Sequence, residues 1–313
     1  MKNCIVTGSA GFIGSHLCER LLNEGHHVIG IDNLLTGKTK NMSTFRDHPE
    51  FEFVEEDILS TGQIAQYLGM ADIIFHEAAS KKTISLTDPC RDIDINAKGT
   101  FKLLDTLIKV NTNNPAFIHA STGSVYGEAN GEITLNTLTQ PTSVYGVSKL
   151  AGERYVDLFN RNHDLRTAIL RYFHVYGPRQ DDGPNGGVVA IFINKLLHNQ
   201  PIQIFGSGMQ TRVFTYVDDV VDVNLGVVSS LPTNRCMPVI HNVTSGVQTT
   251  LIEMLHMLAM ILGRTKFNIE FGPWTPGDIV EFNVKPTYDR HKWVSFKDGL
   301  EKTVEWYKQK YGG

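Results

Sequence analysis

Tyr145 and Lys149 are four residues apart, the separation at which two side chains leave a helix on the same side. With the hydroxyl of Thr122 they could run a proton transfer. A phenolate takes a proton from an alcohol, an ammonium steadies the phenolate, and the threonine bridges the substrate oxygen and the phenol. The demand on the tyrosine is large. A phenol ionises near pH 10, and bringing that to near 7 requires about 4 kcal/mol of preferential phenolate stabilisation. The Lys149 ammonium and a cationic cofactor ring are suitable agents, because opposite charge favours the ionised form. The spacing alone is not specific, since Tyr288 and Lys292 repeat it. Only the first pair follows a strand-like run ending in Ser121 and Thr122 and precedes another such run.

A second constellation stands at the start of the chain. Gly8, Gly11 and Gly14 follow an apolar run and open a helical stretch. That order turns backbone N–H groups and a helix N-terminus toward a pyrophosphate, which a side chain at Gly8 or Gly11 would obstruct. Asp32 then ends the next apolar run, where its carboxylate can hold both ribose hydroxyls of an adenosine. A 2′-phosphate would meet that charge, so NAD is the expected dinucleotide, with Lys38 and Lys40 as the nearby residues that favour NADP.

These groups need a scaffold that brings distant segments to one edge. Short β-branched runs at 3–7, 27–31, 51–54, 73–75, 117–120 and 167–171 alternate with amphipathic stretches, among them 12–23, 88–110 and 145–160. Continuous apolar strands alternating with helices mean a doubly wound parallel sheet covered on both faces, an α/β fold of Rossmann type. Beyond Arg171 the pattern loosens into turn-rich segments at 177–187 and 205–209, as expected of loops that build a site. Strand-like 238–243, helix-like 249–262 and a final amphipathic helix follow.

Composition narrows the function further. The 313 residues carry 29 basic and 33 acidic side chains, a net charge of −4, which leaves no basic surplus for nucleic acid. The four cysteines are far apart and show neither disulfide-framework nor zinc spacing, and the histidines, including the pair His26 and His27, have no metal-ligand partners. No metal is expected. No apolar run reaches membrane-spanning length, and glycines interrupt the N-terminus before a signal-peptide core can form. The expectation is a soluble, cytoplasmic enzyme.

The segments TGSAGFIGSHL, IDNL, EEDI, DIIFHEAA, DINAKGT, HASTGSVYGE, SVYGVSKLAGE, RYFHVYGPRQ, RVFTYVDDVV and PGD run in order from residue 5 to 278. In this the chain resembles the extended short-chain dehydrogenase/reductase family, in its nucleotide-sugar epimerase and dehydratase branch. The resemblance implies an NAD-binding Rossmann domain over 1–172, with 214–240 returning to it. A smaller, discontinuous α/β region over 173–213 and 241–313 would hold the nucleotide sugar. It implies that Gly8, Gly11, Phe12, Ile13, Gly14, Asp32, Asn33, Asp57, Ile58, Ala78, Lys81, Asn96, Tyr145, Lys149, Tyr172 and Phe173 surround the cofactor. Thr122, His174, Val188, Gln203, Phe205, Arg212 and Asp278 would contact the substrate, and the helices near 88–110 and 142–160 would pair into a homodimer.

Within the branch, dehydratases resemble STDEVYG, with an acidic pair after the threonine, and uronate decarboxylases keep a glutamate there. This chain has Gly123 and Ser124, neither a proton-transfer acid. The expectation is therefore 4-epimerisation of a UDP-hexose. Asp181 stands where uronate epimerases offer an arginine, which disfavours UDP-glucuronate. Bulky Phe282, at the position that gates N-acetyl groups in related epimerases, favours glucose and galactose over UDP-GlcNAc. His174 replaces the usual asparagine and either donates to phosphate or fills space as a hydrogen-bonded core group. Thr275 replaces a diphosphate-binding arginine, and Val213 the usual aspartate. A reductase or oxidase that exchanges its cofactor with solution, and a catalytically silent dinucleotide sensor, are the competing readings. The sensor has no need of the Thr122, Tyr145 and Lys149 set.

Overall fold

The computed structural model of the 313-residue chain describes residues 1–129, 131–232, 237–274, 279–289 and 292–312. The first part alternates as its apolar runs require: β1 (Asn3–Thr7), α1 (Phe12–Asn23), β2 (His27–Asp32), β3 (Phe51–Glu55), α2 (Thr61–Met70) and β4 (Ile73–His76). Two short helices follow, α3 (Lys82–Ser85) and α4 (Pro89–Ile93), then a π-helical turn over Asp94–Gly99 that runs into α5 (Thr100–Val110). Next come β5 (Ala116–Thr122), α6 (Val144–His163) and β6 (Arg166–Tyr172). The later part contains β7 (Val175–Tyr176), α7 (Val188–Leu197), β8 (Ile202–Phe205), β9 (Thr211–Val213), β10 (Thr215–Tyr216), α8 (Val217–Ser230) and β11 (Val239–Val243). It closes with β12 (Gln248–Thr250), α9 (Leu251–Ile261), β13 (Ile269–Gly272) and α10 (Phe296–Tyr311).

Seven strands form one sheet in the order β11-β6-β5-β4-β1-β2-β3. The β1–β2, β1–β4, β2–β3 and β4–β5 pairings are all parallel. Buried side chains from one face of the sheet, including the register partners Ile5, Ile29, Ile74 and Phe117, make a continuous core with Ile169 and with Leu103, Leu104 and Leu107 of α5. The i, i+1, i+4 spacing of those three leucines is why α5 lies flat on the sheet. Chain order reverses between β1 and β4, so the strand ends there open a crevice, the place where doubly wound sheets bind ligands.

Two compact units divide the chain. One comprises Met1–Gly127, Leu138–Arg171 and Val221–His241, and the other Glu128–Thr137, Tyr172–Val220 and Asn242–Gly313. The second unit is built from three two-stranded pieces, β10 with β7, β12 with β9, and β13 with β8. Thr250 and Glu253 form a reciprocal cap on α9 there. The long helical expectation over 88–110 is met by three consecutive segments, because the π-helical turn inserts an extra residue ahead of α5. α7 and α8 were not anticipated.

Candidate active site

At the crevice, Gly8 has φ +72°, a left-handed backbone that carries β1 into the loop. A Cβ there would sit 2.8 Å from the Ala78 nitrogen, so a side chain would force apart the loops that follow β1 and β4. Gly11 is the N-cap of α1 and brings no side chain to the first turn, which leaves the N–H groups of that turn facing the crevice. The Asp32 carboxylate is held by two backbone donors, Ala10 N at 3.0 Å and Leu34 N at 2.8 Å. Burial raises its pKa, against which both hydrogen bonds act. Asn33 donates from Nδ2 to Asp57 Oδ2 at 2.8 Å, and Asp57 Oδ1 accepts from Leu59 N at 2.8 Å.

These residues line a cleft of about 210 Å³, whose walls include Gly8, Gly11, Phe12, Ile13, Gly14, Asp32, Asn33, Asp57, Ile58, Ala78 and Lys81. Eleven of the sixteen cofactor residues expected from the sequence therefore share one cleft. It has the features a dinucleotide needs: a side-chain-free approach at Gly8, a helix N-terminus, and an acidic rim of Asp32, Glu56 and Asp57.

The proton-transfer group assembles in the same unit. Ser143 caps α6 by accepting from Gly146 N at 3.1 Å. A Cβ on Gly146 would lie 2.7 Å from the Ser124 carbonyl, so glycine lets the first turn of α6 press against the turn that follows β5. The Tyr145 hydroxyl thereby reaches the Thr122 hydroxyl in hydrogen-bonding contact. Thr122 also takes the strand-end capping role, accepting from Ser124 N at 3.2 Å. Tyr288 and Lys292, the other pair with this spacing, lie outside every described helix.

The electrostatics correct one expectation. The chain's own groups do not lower Tyr145: burial pushes the phenol up to about 12, the Thr122 hydroxyl pulls it down, and the Asp92 carboxylate raises it. Lys149 is itself almost wholly buried, and burial brings its ammonium down to about 8, opposed by Glu77, Glu153 and Asp92. The decrease the chemistry requires must come from added positive charge close to the phenol.

Several residues around this group were not anticipated. Glu153, one turn beyond Lys149, forms a two-pronged ion pair with Arg171, Nε to Oε1 at 2.8 Å and Nη2 to Oε2 at 2.6 Å. Arg171 also donates to the Tyr126 hydroxyl at 2.7 Å, and Ser121 Oγ donates to Glu153 Oε1 at 2.6 Å. On β4, His76 is buried between the hydroxyls of Thr7 (2.8 Å) and Thr100 (3.0 Å), and burial with Lys149 brings it down to about 3. Asn96, which the sequence did place near the cofactor, lies in the π-helical turn, where its Oδ1 accepts from Ser80 N at 2.9 Å and its Nδ2 donates to Asp92 and Ser148.

In the second unit, Phe282 is buried at the centre of a cluster. It contacts the rings of Phe173 (6.0 Å) and His174 (5.1 Å), and the Arg212 guanidinium lies 5.8 Å from its centroid. His174 has φ +36° and a second ring contact with Phe214, which sets its ring among these aromatic side chains. Val188 opens α7, and Gln203 and Phe205 lie on the exposed side of β8. Asp278 and Thr275 fall outside the described residues.

Comparison with known proteins accords with this geometry. A family model described as "NAD dependent epimerase/dehydratase family" matches residues 4–236. A UDP-glucose 4-epimerase of Mycolicibacterium smegmatis is 35% identical, the match covering 98% of each chain. Among solved structures, the UDP-glucose 4-epimerase of Thermotoga maritima with UDP-glucose superposes with a TM-score of 0.89 at 33% identity, covering 99% of both chains. The UDP-glucuronic acid 4-epimerase of Bacillus cereus, in complex with UDP-glucuronic acid and NAD, gives a TM-score of 0.88 at 34% identity, covering 99% of this chain and all of the other. The chain belongs to the NAD-dependent epimerase/dehydratase family, and its cofactor is NAD.

Proposed function

We propose that the protein is a UDP-hexose 4-epimerase that interconverts UDP-glucose and UDP-galactose. The observation that carries this reading is the Thr122–Tyr145 contact with Lys149 one turn further along, followed by Gly123 and Ser124. That set can move one proton on and off an alcohol oxygen. It provides no carboxyl group after Thr122 for eliminating water or assisting decarboxylation. When bound, NAD⁺ would supply the two-electron acceptor and donor for carbon 4 and a positive charge that lowers the pKa of the phenol. Tyr145 takes the C4 hydroxyl proton as the carbon is oxidised and returns it after the sugar has turned over. Thr122 holds the same oxygen, and Lys149 keeps a positive charge near the phenolate.

Under this reading the first unit holds the dinucleotide, with Asn96 supplementing the cleft residues. The second unit holds the nucleoside diphosphate through Arg212, Phe205, Gln203, Val188, His174 and Asp278. Phe282 fills the space beside Phe173 and His174, which favours a plain hexose over an N-acetylated one. The test uses purified protein with no cofactor added, mixed with UDP-galactose and followed by NMR. Appearance of UDP-glucose at an equilibrium ratio is expected, with UDP-GlcNAc at least tenfold slower in kcat/KM. No conversion after NAD⁺ addition removes the reading, and free NADH accumulating with product would make the protein an oxidase.

Asp32→Ala is expected to weaken NAD binding about tenfold or more, because a charged acceptor for ribose hydroxyls is worth roughly 1.5–3 kcal/mol. Calorimetric titration of the stripped protein measures it, and unchanged affinity would place the ribose elsewhere. A homodimer formed through α5 and α6 fits the half-exposed apolar side chains Phe101, Val144, Val147 and Leu158 on those helices. Light scattering at micromolar concentration should give twice the chain mass, and a monomer would end that expectation.

A further inference from the structure

Asp92 is a wholly buried carboxylate to which the chemistry above gives no role. We propose that Asp92 is a positioning residue of the proton-transfer group, resting on the epimerase reading: it fixes the first turns of α6 through Ser148 and Asn96, and its charge is one of the counter-charges to Lys149 beside Tyr145.

The hydrogen bonds define its place. Ser148 Oγ donates to Asp92 Oδ2 at 2.5 Å, and Asn96 Nδ2 donates to Asp92 Oδ1 at 3.1 Å. Both carboxylate oxygens are therefore tethered. Asn96 Nδ2 also reaches Ser148 Oγ at 3.0 Å, closing a triangle, and Ser148 Oγ lies 3.0 Å from the Tyr145 carbonyl. The triangle therefore joins α4 and the π-helical turn to the turn of α6 that carries Tyr145 and Lys149. Asn96 Oδ1 in turn holds Ser80 N, two residues beyond the Ala78 that faces Gly8.

A buried anion is costly unless opposite charge lies near it. The groups acting on Lys149 come from every side: Glu77 after β4, Glu153 on α6, Asp92 on α4, and the neutral His76 and His119 from the strands beneath. Glu153 already shares its charge with Arg171. Among the described residues the hydrogen bonds to Asp92 come from uncharged donors, so its charge stands with those of Glu77 and Glu153 as a counter-charge to Lys149. The same anion disfavours the Tyr145 phenolate. Its removal should move both ionisations in one direction, to lower pH.

Two measurements on the NAD-loaded protein test this. For Asp92→Asn, which keeps an acceptor oxygen and removes the charge, both limbs of the kcat–pH profile should move down by about half a unit or more. Ser148→Ala, which keeps the charge and removes one tether, should lower kcat without moving either limb. An Asp92→Asn profile with its limbs at the wild-type positions overturns the proposal. The second measurement is a thermal cycle of wild type, D92N, K149M and D92N/K149M. D92N should lower Tm in the wild-type background by about 3 °C or more beyond its effect in the K149M background. If D92N alone does not fold, K149M should rescue it. Equal losses in the two backgrounds, or no rescue, overturn the proposal. The cycle reads out whether or not any sugar is turned over, so failure of the epimerase reading would appear as absent turnover with the coupling intact.

Discussion

Tyr145→Phe should lower kcat about 10³-fold while leaving the KM for the nucleotide sugar within a few-fold of wild type. The substitution keeps the half-buried ring and deletes only the oxygen that meets Thr122. No other described group is poised to replace it, since Thr122 is a far weaker acid and His76 is held neutral between two hydroxyls. The wild-type enzyme should also show a fall in kcat above about pH 8, and the sign follows from the lysine. Below its lowered value of about 8 the Lys149 ammonium is present, and in the proposed chemistry it would favour the phenolate. Above that value the charge is lost and the phenol returns toward the high pKa that burial and Asp92 impose. Steady-state rates between pH 6 and 9.5 measure both effects. Residual activity of Tyr145→Phe within tenfold of wild type would take Tyr145 out of the proton transfer.

The parts of this arrangement that could be read from the sequence are those set by local pattern. β1, β2, β4 and β5 are largely apolar runs because both faces of the sheet are covered there, and the glycines at 8, 11 and 14 carry their requirement in their spacing. α7 is apolar on most of its circumference, so it does not separate cleanly from its turn-rich surroundings, whereas α8 carries Val217, Val220, Val221 and Val227 at helical spacing and could have been read. The supports of the site were hidden for another reason. Asp92 meets Ser148 across 56 residues, and Ser121 meets Glu153 across 32. Such partners are set by sheet order, which no spacing rule encodes. One signal was available: Glu153 continues the Tyr145–Lys149 face by another turn, and Arg171 ends an otherwise apolar strand. A charge at each of two positions that must be buried implies that they pair. The upward shift of Tyr145 in the protein alone was not legible because burial raises a phenol, and desolvation cannot be read from a list of neighbouring charges.

Arg171→Met should cost about 3–5 kcal/mol of stability, the largest effect expected from a single substitution in this chain. Both partners of the Arg171–Glu153 pair are nearly inaccessible, 5% and 2% exposed at the side chain, so solvent cannot take over for a missing guanidinium. Removing Arg171 strands the Glu153 carboxylate with Ser121 as its remaining donor and takes the hydrogen-bonded cation away from Tyr126. Restoring charge balance separates the cost of the stranded anion from that of lost packing. Glu153→Gln added to Arg171→Met should recover at least 1–2 kcal/mol, because a neutral amide is cheaper to bury than an unpaired carboxylate. Recovery should be incomplete, since Tyr126 still lacks its donor. Urea unfolding of the two variants beside wild type measures this, and an Arg171→Met loss below 1 kcal/mol would mean that water reaches the pair. The pair joins the end of β6 to α6 one turn beyond Lys149, while Ser121 ties the same carboxylate to the strand position before Thr122. Loosening it should therefore disturb the Thr122–Tyr145 contact, and kcat should fall in the double variant even where stability returns.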